Sequence, residues 1–311
     1  MDLTKINTAC GIVNVGASCY MNAILQCLLS CETFIEFLFS LTFQEYDNQS
    51  FLQNLIIVLK QLRHSKSFVT PSTLYEIVKK RFPPNEQHDM AEFLHFLLDK
   101  IHMDLKRSIK IHVGGEARSE KESMRKKAYE HYKVTFENDF SEINQYFYGQ
   151  SVTTLSEEHF SFDAYNIMIV PIPEEATQCT IHDCLKLYFD EGKTKLWSVP
   201  PIIIIQLKRF KGNLKNNCSI PLERTLNLQD YCYSDLAIEK PSYILKGIAK
   251  HIGGVDAGHC FAECCRDNNA WVRCDDLNLA RIESPFCEFS YMFFYEKAKT
   301  VPELYDNVIR M

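Results

Sequence analysis

No stretch of the chain approaches the roughly 20 consecutive apolar residues of a membrane-spanning helix, and the opening residues, MDLTKINTACGIVNVG, lack the basic n-region and apolar h-region of a secretory signal. Internal repeats and low-complexity tracts are also missing, which excludes solenoid and compositionally biased classes. Nor is there a broad basic field. Lys and Arg number 34 against 40 Asp and Glu, giving a formal net charge of −6 and a pI near 6.0. Phosphate backbones and anionic lipid are therefore poor partners, and neither nucleic acid nor membrane is expected. Cysteine is plentiful at thirteen, but the count is odd and 311 residues are too many for a small disulfide-stapled scaffold. Reduced thiols fit better, so a soluble intracellular protein, cytoplasmic or nuclear and monomeric, is the expectation. The 46% hydrophobic content is that of a globular chain able to bury a large core.

Met21, Ile24, Leu25, Leu28 and Leu29 recur at helical spacing, which predicts an amphipathic helix beginning at Cys19. Similar spacing predicts helices over 31–41, 51–63 and 72–81, a break at Pro83-Pro84, and a further helix over 87–102. Residues 103–133, with Gly114-Gly115 and RSEKESMRKKAYEHYK, read as a loop followed by a solvated helix. Beyond about 147 the period changes. Segments 167–173, 202–210, 243–252, 259–265 and 289–297 are rich in Ile, Tyr and Phe and read as strands, with one short helix over 180–191. A helical N-terminal half packed on a β-rich C-terminal half makes an α+β fold, with a cleft expected between them.

Cys19 ends a loop of Gly, Asn, Ala and Ser and opens a helix, where the positive end of the macrodipole favours a thiolate. A cysteine nucleophile needs a base, a group to orient that base, and donors for an oxyanion. Of ten histidines, His259 follows the glycine-bearing loop GGVDAG and opens the strand HCFAECC, whereas His251 lies within a strand and reads as structural. Asp275 and Asp276 come at the end of a strand that fits beside the start of the His259 strand. One of the two carboxylates would hold the imidazole in its working tautomer. Asn14, five residues before Cys19, brings a side-chain amide to the same loop.

GIVNVGASCYMNAILQ, QHDMAEFLHFLLD, IIIIQLKRF, GHCFAE and WVRCDD resemble, in sequence order, the boxes of the ubiquitin-specific protease family, over about residues 11–297. The resemblance implies a papain-like cysteine protease fold, a right hand with a helical thumb, a β palm and short β fingers. It also implies one catalytic domain over 1–311, with the thumb at about 11–135, fingers and palm at about 136–297, and a C-terminal tail at 298–311. The implied activity is hydrolysis of isopeptide or peptide bonds at the C-terminal glycine of ubiquitin, with ubiquitin and ubiquitinated proteins as partners. It assigns Cys19 as nucleophile, His259 as base and acid, Asp275 as orienting residue and Asn14 as oxyanion donor. Asp276 would assist through a water or the oxyanion. Gln87 and Asp89 match an element that contacts the ubiquitin tail, and a carboxylate there suits a basic tail. Two other functions stay open: a protease for a ubiquitin-like modifier, and a catalytically inactive ubiquitin-binding scaffold.

The chain departs from the family pattern in places. Ala17-Ser18 stands where Asn-Thr is usual, Cys260 where a Tyr commonly follows the base, and Cys274 where an aromatic residue precedes the acidic pair. The two CxxC pairs of the zinc ribbon are missing from SVTTLSEEHFSFD and DEGKTKLWSVPP. Without four ligands at metal spacing no metal and no cofactor is expected, and CTIHDC at 179–184 has no second cluster to complete a site.

Overall fold

The helix predicted from Cys19 onward is present, but every residue of α1 (Cys19–Leu29) is buried. It is a central helix, not an amphipathic surface one. Its two amide side chains are enclosed with partners for their N–H groups: Gln26 Nε2 donates to the Cys10 carbonyl at 2.8 Å and Asn22 Nδ2 to the Asp276 carboxylate at 2.7 Å, while Asn22 Oδ1 is left without one among the described residues. An unpartnered buried amide would cost about 1–3 kcal/mol. The computed structural model describes residues 10–42, 50–156, 159–189, 193–233, 241–254, 257–266 and 269–298. The tail expected at 298–311 lies, apart from Ala298, outside the described residues, as do Val255 and Asp256 of the loop before His259.

Around α1 stand α2 (Glu32–Ser40), α3 (Phe51–His64), α4 (Ser72–Val78) and α5 (Met90–Leu105). Phe34, Leu55, Leu59, Leu74, Phe93 and Leu97 close over α1 as one core. Helix α5 begins three residues later than the spacing predicts. Asp89 is its N-cap, with Oδ1 accepting the Ala91 and Glu92 amides at 2.7 and 3.0 Å. The charged stretch after it forms α6 (Glu120–Phe136), and this helix is not simply solvated: Met124, Ala128 and Phe136 are buried. Helix α7 (Glu142–Phe147) then leads into the strands.

Strands β1 (Gly149–Ser156) and β2 (His159–Tyr165) form a hairpin, β3 (Ile167–Val170) follows, α8 (Ile181–Tyr188) comes next, and β4 (Thr194–Ser198) pairs antiparallel with β1. This three-stranded sheet occupies the segments where the cysteine pairs are missing. Met124, Ala128, Val152 and Phe162 make its small core, with the Phe162 and Trp197 rings edge to face at 5.1 Å. Its strands are joined by their antiparallel ladders, and this apolar cluster seats the sheet on α6.

The larger sheet contains β3, β5 (Ile202–Leu207), β9 (Ser242–Gly253), β10 (Gly258–Cys265), β11 (Trp271–Asp275), β12 (Asn278–Ile282) and β13 (Ser290–Lys297), ordered β12-β11-β10-β9-β13-β5-β3. Between β5 and β9 come the short ribbon β6 (Phe210–Lys211) and β7 (Leu214–Lys215), and β8 (Thr225–Asn227), which pairs with β9. Both faces of the large sheet are covered, so β5 reads IIIIQL without polar alternation. Ile202 and Ile204 join the helical core, and Ile203 and Ile205 join a second core with Ile181 and Leu185 of α8. Thus α1 lies against β9 and β10, and the start of α1 meets the start of β10.

Candidate active site

The loop that delivers Cys19 is built by backbone bonds and one asparagine. Gly11 O accepts from Val69 N at 2.8 Å, Val13 N donates to Val69 O at 2.9 Å, and Ile12 N donates to Asp276 O at 2.9 Å. The last contact brings the β11–β12 turn against the loop so closely that a Cβ on Gly11 would lie 2.7 Å from the Leu277 carbonyl. Asn14 Oδ1 accepts the Ser18 amide at 2.8 Å, and Ser18 Oγ accepts the Val15 amide at 2.9 Å. Between them Gly16 and Ala17 take left-handed φ values of 61° and 66°. For alanine that costs about 1–2 kcal/mol; the asparagine usual in the resembling family tolerates the conformation better.

Ser18, its hydroxyl taken by Val15, does not cap α1, and no acidic residue sits in the first turn. The positive helix end therefore acts on Cys19 with no acidic residue of its own first turn to offset it, though the Asp276 charge opposes the thiolate from the β11–β12 turn. Cys19 is only 2% exposed. Its thiol is lowered to about 6, first by a hydrogen bond from the Cys260 side chain, opposed by burial, and then by the Cys260 backbone and the His259 charge. The same hydrogen bond raises Cys260 well above the ordinary thiol range. The contact favours charge on Cys19, at the helix start and beside His259, over charge on Cys260 within β10.

His259 starts β10, and its partner stands at the end of the next strand. His259 Nε2 and Asp275 Oδ1 are 2.5 Å apart, with the two side chains 40% and 39% exposed. Partial burial works against the imidazolium, but the Asp275 hydrogen bond and the charges of Asp275, Cys19 and Asp276 outweigh it, so the His259 pKa is raised. Asp276 has φ +50° as the first residue of the turn from β11 into β12, which takes its carboxylate out of strand alternation. It turns to the nucleophile side: Oδ2 accepts Asn14 Nδ2 at 2.8 Å and Oδ1 accepts Asn22 Nδ2 at 2.7 Å. The two aspartates are thereby assigned different work, one on the imidazole and one on the loop before Cys19.

Cys19, His259, Asp275, Asp276 and Asn14 come together as the sequence predicts. Gln87 and Asp89 lie before α5 rather than on it. Gln87 is exposed. Asp89 is exposed too, and its carboxylate already has two tasks: Oδ1 caps α5 and Oδ2 accepts the Tyr291 hydroxyl at 2.7 Å, tying the helical half to the palm. Sequence reasoning missed Asn22, whose signal was an amide about one turn beyond Cys19 in a largely apolar helix, and it missed the contact of Cys260 with the nucleophile. In CTIHDC the Cys179 and Cys184 sulfurs lie 3.7 Å apart, but His182 turns to Tyr231 and Glu223. Among the described residues, ligand atoms of His259, Asp275 and Asp276 lie within 4.8 Å of one another. Hydrogen bonds already join two of these side chains to each other and the third to Asn14 and Asn22, an arrangement suited to proton transfer.

The sequence model for ubiquitin carboxyl-terminal hydrolase matches residues 10–295. Ubiquitin carboxyl-terminal hydrolase 4 of Eremothecium gossypii is 27% identical over 95% of this chain and 43% of its own length. Ubiquitin carboxyl-terminal hydrolase 5 of Saccharomyces cerevisiae is 27% identical over 92% of this chain and 44% of its own. The chain thus spans less than half of these relatives. Among solved structures, a yeast SAGA DUB module with a mutant Sgf73 aligns at TM-score 0.69 and 20% identity, over 96% of this chain and 68% of that one. A SAGA DUB module of a Ubp8 variant with Sgf11, Sus1 and Sgf73, bound to monoubiquitin, aligns at TM-score 0.70 and 19% identity, over 96% and 71%. At such identities the likeness speaks to the fold, and the α+β right hand predicted from sequence is that fold.

Proposed function

The chain belongs to the ubiquitin carboxyl-terminal hydrolase family, and on that premise we propose that it is a deubiquitinating thiol protease. The observation that carries this reading is the hydrogen-bonded His259–Asp275 pair beside a Cys19 thiol lowered to about 6. Cys19 as thiolate attacks the carbonyl carbon of the ubiquitin C-terminal glycine, and the tetrahedral oxyanion forms at the start of α1. Asn14 has a second amide N–H beyond the one bonded to Asp276, and it serves the oxyanion with backbone amides. Asp275 holds Nε2, leaving Nδ1 for the sulfur and the leaving amine. His259 protonates that amine and then draws a proton from the water that cleaves the thioester. Asp276 is a positioning residue that fixes Asn14 and Asn22.

Gln87 and Asp89 border the path of the ubiquitin tail in this reading, Asp89 chiefly by joining α5 to β13. The protein acts as one catalytic unit, with a thumb over about 11–135 and fingers and palm over about 136–297. Thirteen free thiols support an intracellular site, cytoplasmic or nuclear. The aligned Ubp8 structures are multi-subunit modules, so the monomer expected from sequence is checked by sedimentation.

Hydrolysis of C-terminal fluorogenic conjugates tests the reading. Purified protein should turn over the ubiquitin conjugate at least about tenfold faster than conjugates of ubiquitin-like modifiers, a difference of ~1.4 kcal/mol in transition-state binding. Preference for another modifier would change the substrate, and binding without turnover would make the protein a scaffold.

A further inference from the structure

The segment KGNLKNN over 211–217 has the composition of a solvated loop, yet one of its cations is turned inward. Lys215, on β7, donates from Nζ to the His251 carbonyl at 2.7 Å, the Gly253 carbonyl at 2.9 Å and His251 Nδ1 at 3.1 Å. An ammonium has three hydrogens, and here all three are used. The acceptors sit on the last residues of β9, which pair across to the start of β10: His251 with Cys260, Ile252 with His259, and Gly253 with Gly258. The ammonium thus stitches a separate ribbon to the three residue pairs that surround His259.

The His251 imidazole fills the space between. Because Lys215 only donates, Nδ1 must be the bare nitrogen and Nε2 carries the hydrogen. Nε2 lies where a side chain of residue 258 would begin, so a Cβ there would collide with it and only glycine fits. The ring is held between the Lys215 ammonium and the Gly258 backbone, one residue before His259. Phe210 and Tyr291 close the remaining sides, with ring centroids at 5.5 and 6.4 Å.

We infer that Lys215 and His251 form a brace that positions His259, an inference that rests on the thiol-protease reading of Cys19 and His259. The brace works only while His251 is neutral, since a protonated ring would present N–H to the ammonium instead of a lone pair. Every charged group facing His251 bears on this. Burial comes first, followed by Lys215 from β7; with His259 from β10 they hold the pKa at about 4, against the contrary pull of Asp89 at the cap of α5. Tyr291 from β13 packs against the ring and donates its hydroxyl to that same Asp89. Neutral His251 is therefore the form at physiological pH, and removing Lys215 takes away both its hydrogen bond and the second cause of its low pKa.

Lys215→Met keeps the length of the side chain and removes the donors. In protein labelled at histidine Cε1, the wild-type His251 resonance should hold its neutral shift down to about pH 5, whereas in Lys215→Met, where burial still opposes the charged form but the ammonium no longer does, it should titrate at a distinctly higher pH than in wild type. On a ubiquitin C-terminal fluorogenic substrate, kcat should fall about ten- to a hundredfold with little change in KM, as expected for a misplaced base. The Lys215→Met rate profile should also gain an ionisation at that higher pH, absent from wild type and from the Lys215→Met/His251→Gln double variant. A role confined to stability would lower Tm without creating that ionisation. Lys215→Gln, shorter and neutral, serves if Lys215→Met does not fold. Should wild type hydrolyse the substrate while the folded Lys215 variants match its kcat, or should the His251 titration be unchanged in them, the brace is refuted and the protease reading stands. Should wild type turn over nothing, the protease reading fails and takes the brace with it.

Discussion

Cys19→Ala is expected to fold, to bind ubiquitin and to release nothing from it. The substitution removes one sulfur from a buried helix start that Asn14, Ile12 and the Asp276 turn organise without it. The stability change should be within about 1 kcal/mol, the scale of an ordinary single substitution. Turnover should fall by roughly 10⁴-fold or more, because the variant has no thiolate at the start of α1: the neighbouring Cys260 sits on β10 and stays buried, and burial by itself keeps a thiol protonated. A second readout follows from electrostatics. The Cys19 charge is one cause of the raised His259 pKa, so that pKa should drop in Cys19→Ala. Comparison of single-turnover hydrolysis and the His259 titration in both proteins checks the two consequences together. Retained turnover in Cys19→Ala would end the thiol mechanism.

The second large effect separates the adjacent aspartates. Asp275→Ala should lower kcat by about 10²-fold or more, the usual worth of a correctly held acid–base group, while Asp275→Asn should keep more activity because an amide oxygen still accepts an imidazole N–H. The sign of the pH effect is fixed by the causes. Cys19 becomes thiolate above about pH 6 and His259 stays protonated up to its raised pKa, so the ion pair exists between the two. Losing Asp275 removes the foremost raising cause and brings the upper limit down, narrowing activity from the alkaline side. The same raised pKa stabilises the fold at pH values below the ordinary histidine range, and that contribution is lost as pH rises through the raised value. It should be weaker in Asp275→Ala. Asp276→Ala should leave the alkaline limit nearly in place and weaken turnover through Asn14 and Asn22. If Asp275→Ala matched wild type while Asp276→Ala was inactive, the two assignments would be exchanged.

Much of this site is local chemistry, and local chemistry is legible in a sequence. A cysteine between a glycine-bearing loop and an apolar helix, a histidine after a glycine loop, and a paired Asp at a strand end each carry their geometry in the neighbouring residues. What could not be seen depends on contacts across the fold. The spacing in α1 marks one apolar stripe, but Gln26 and Asn22 are buried by Cys10 and Asp276, partners far away in the chain. Asp89 reads as part of the helix that follows; it caps that helix locally, but its role as acceptor for Tyr291 is set by β13. Strand alternation separates Asp275 from Asp276, yet where Asp276 goes is decided by a left-handed turn packed on Gly11. The missing cysteine pairs say nothing of the α6 face that packs against the sheet standing in their place. Lys215 looked solvated because two of its three acceptors are backbone carbonyls, which leave no pattern in side chains, and the third, His251 Nδ1, lies far along the chain.

The most direct measurement of the central claim is reaction with ubiquitin whose C-terminus carries a thiol-reactive electrophile, followed by peptide mass mapping of the adduct. One stoichiometric adduct is expected, on the peptide containing Cys19, even though twelve other free thiols compete. It should form with a pH midpoint near 6 and be absent from Cys19→Ala. No adduct from folded protein, or an adduct distributed over other cysteines and persisting in Cys19→Ala, would contradict the assignment of Cys19 as the nucleophile of a deubiquitinating enzyme.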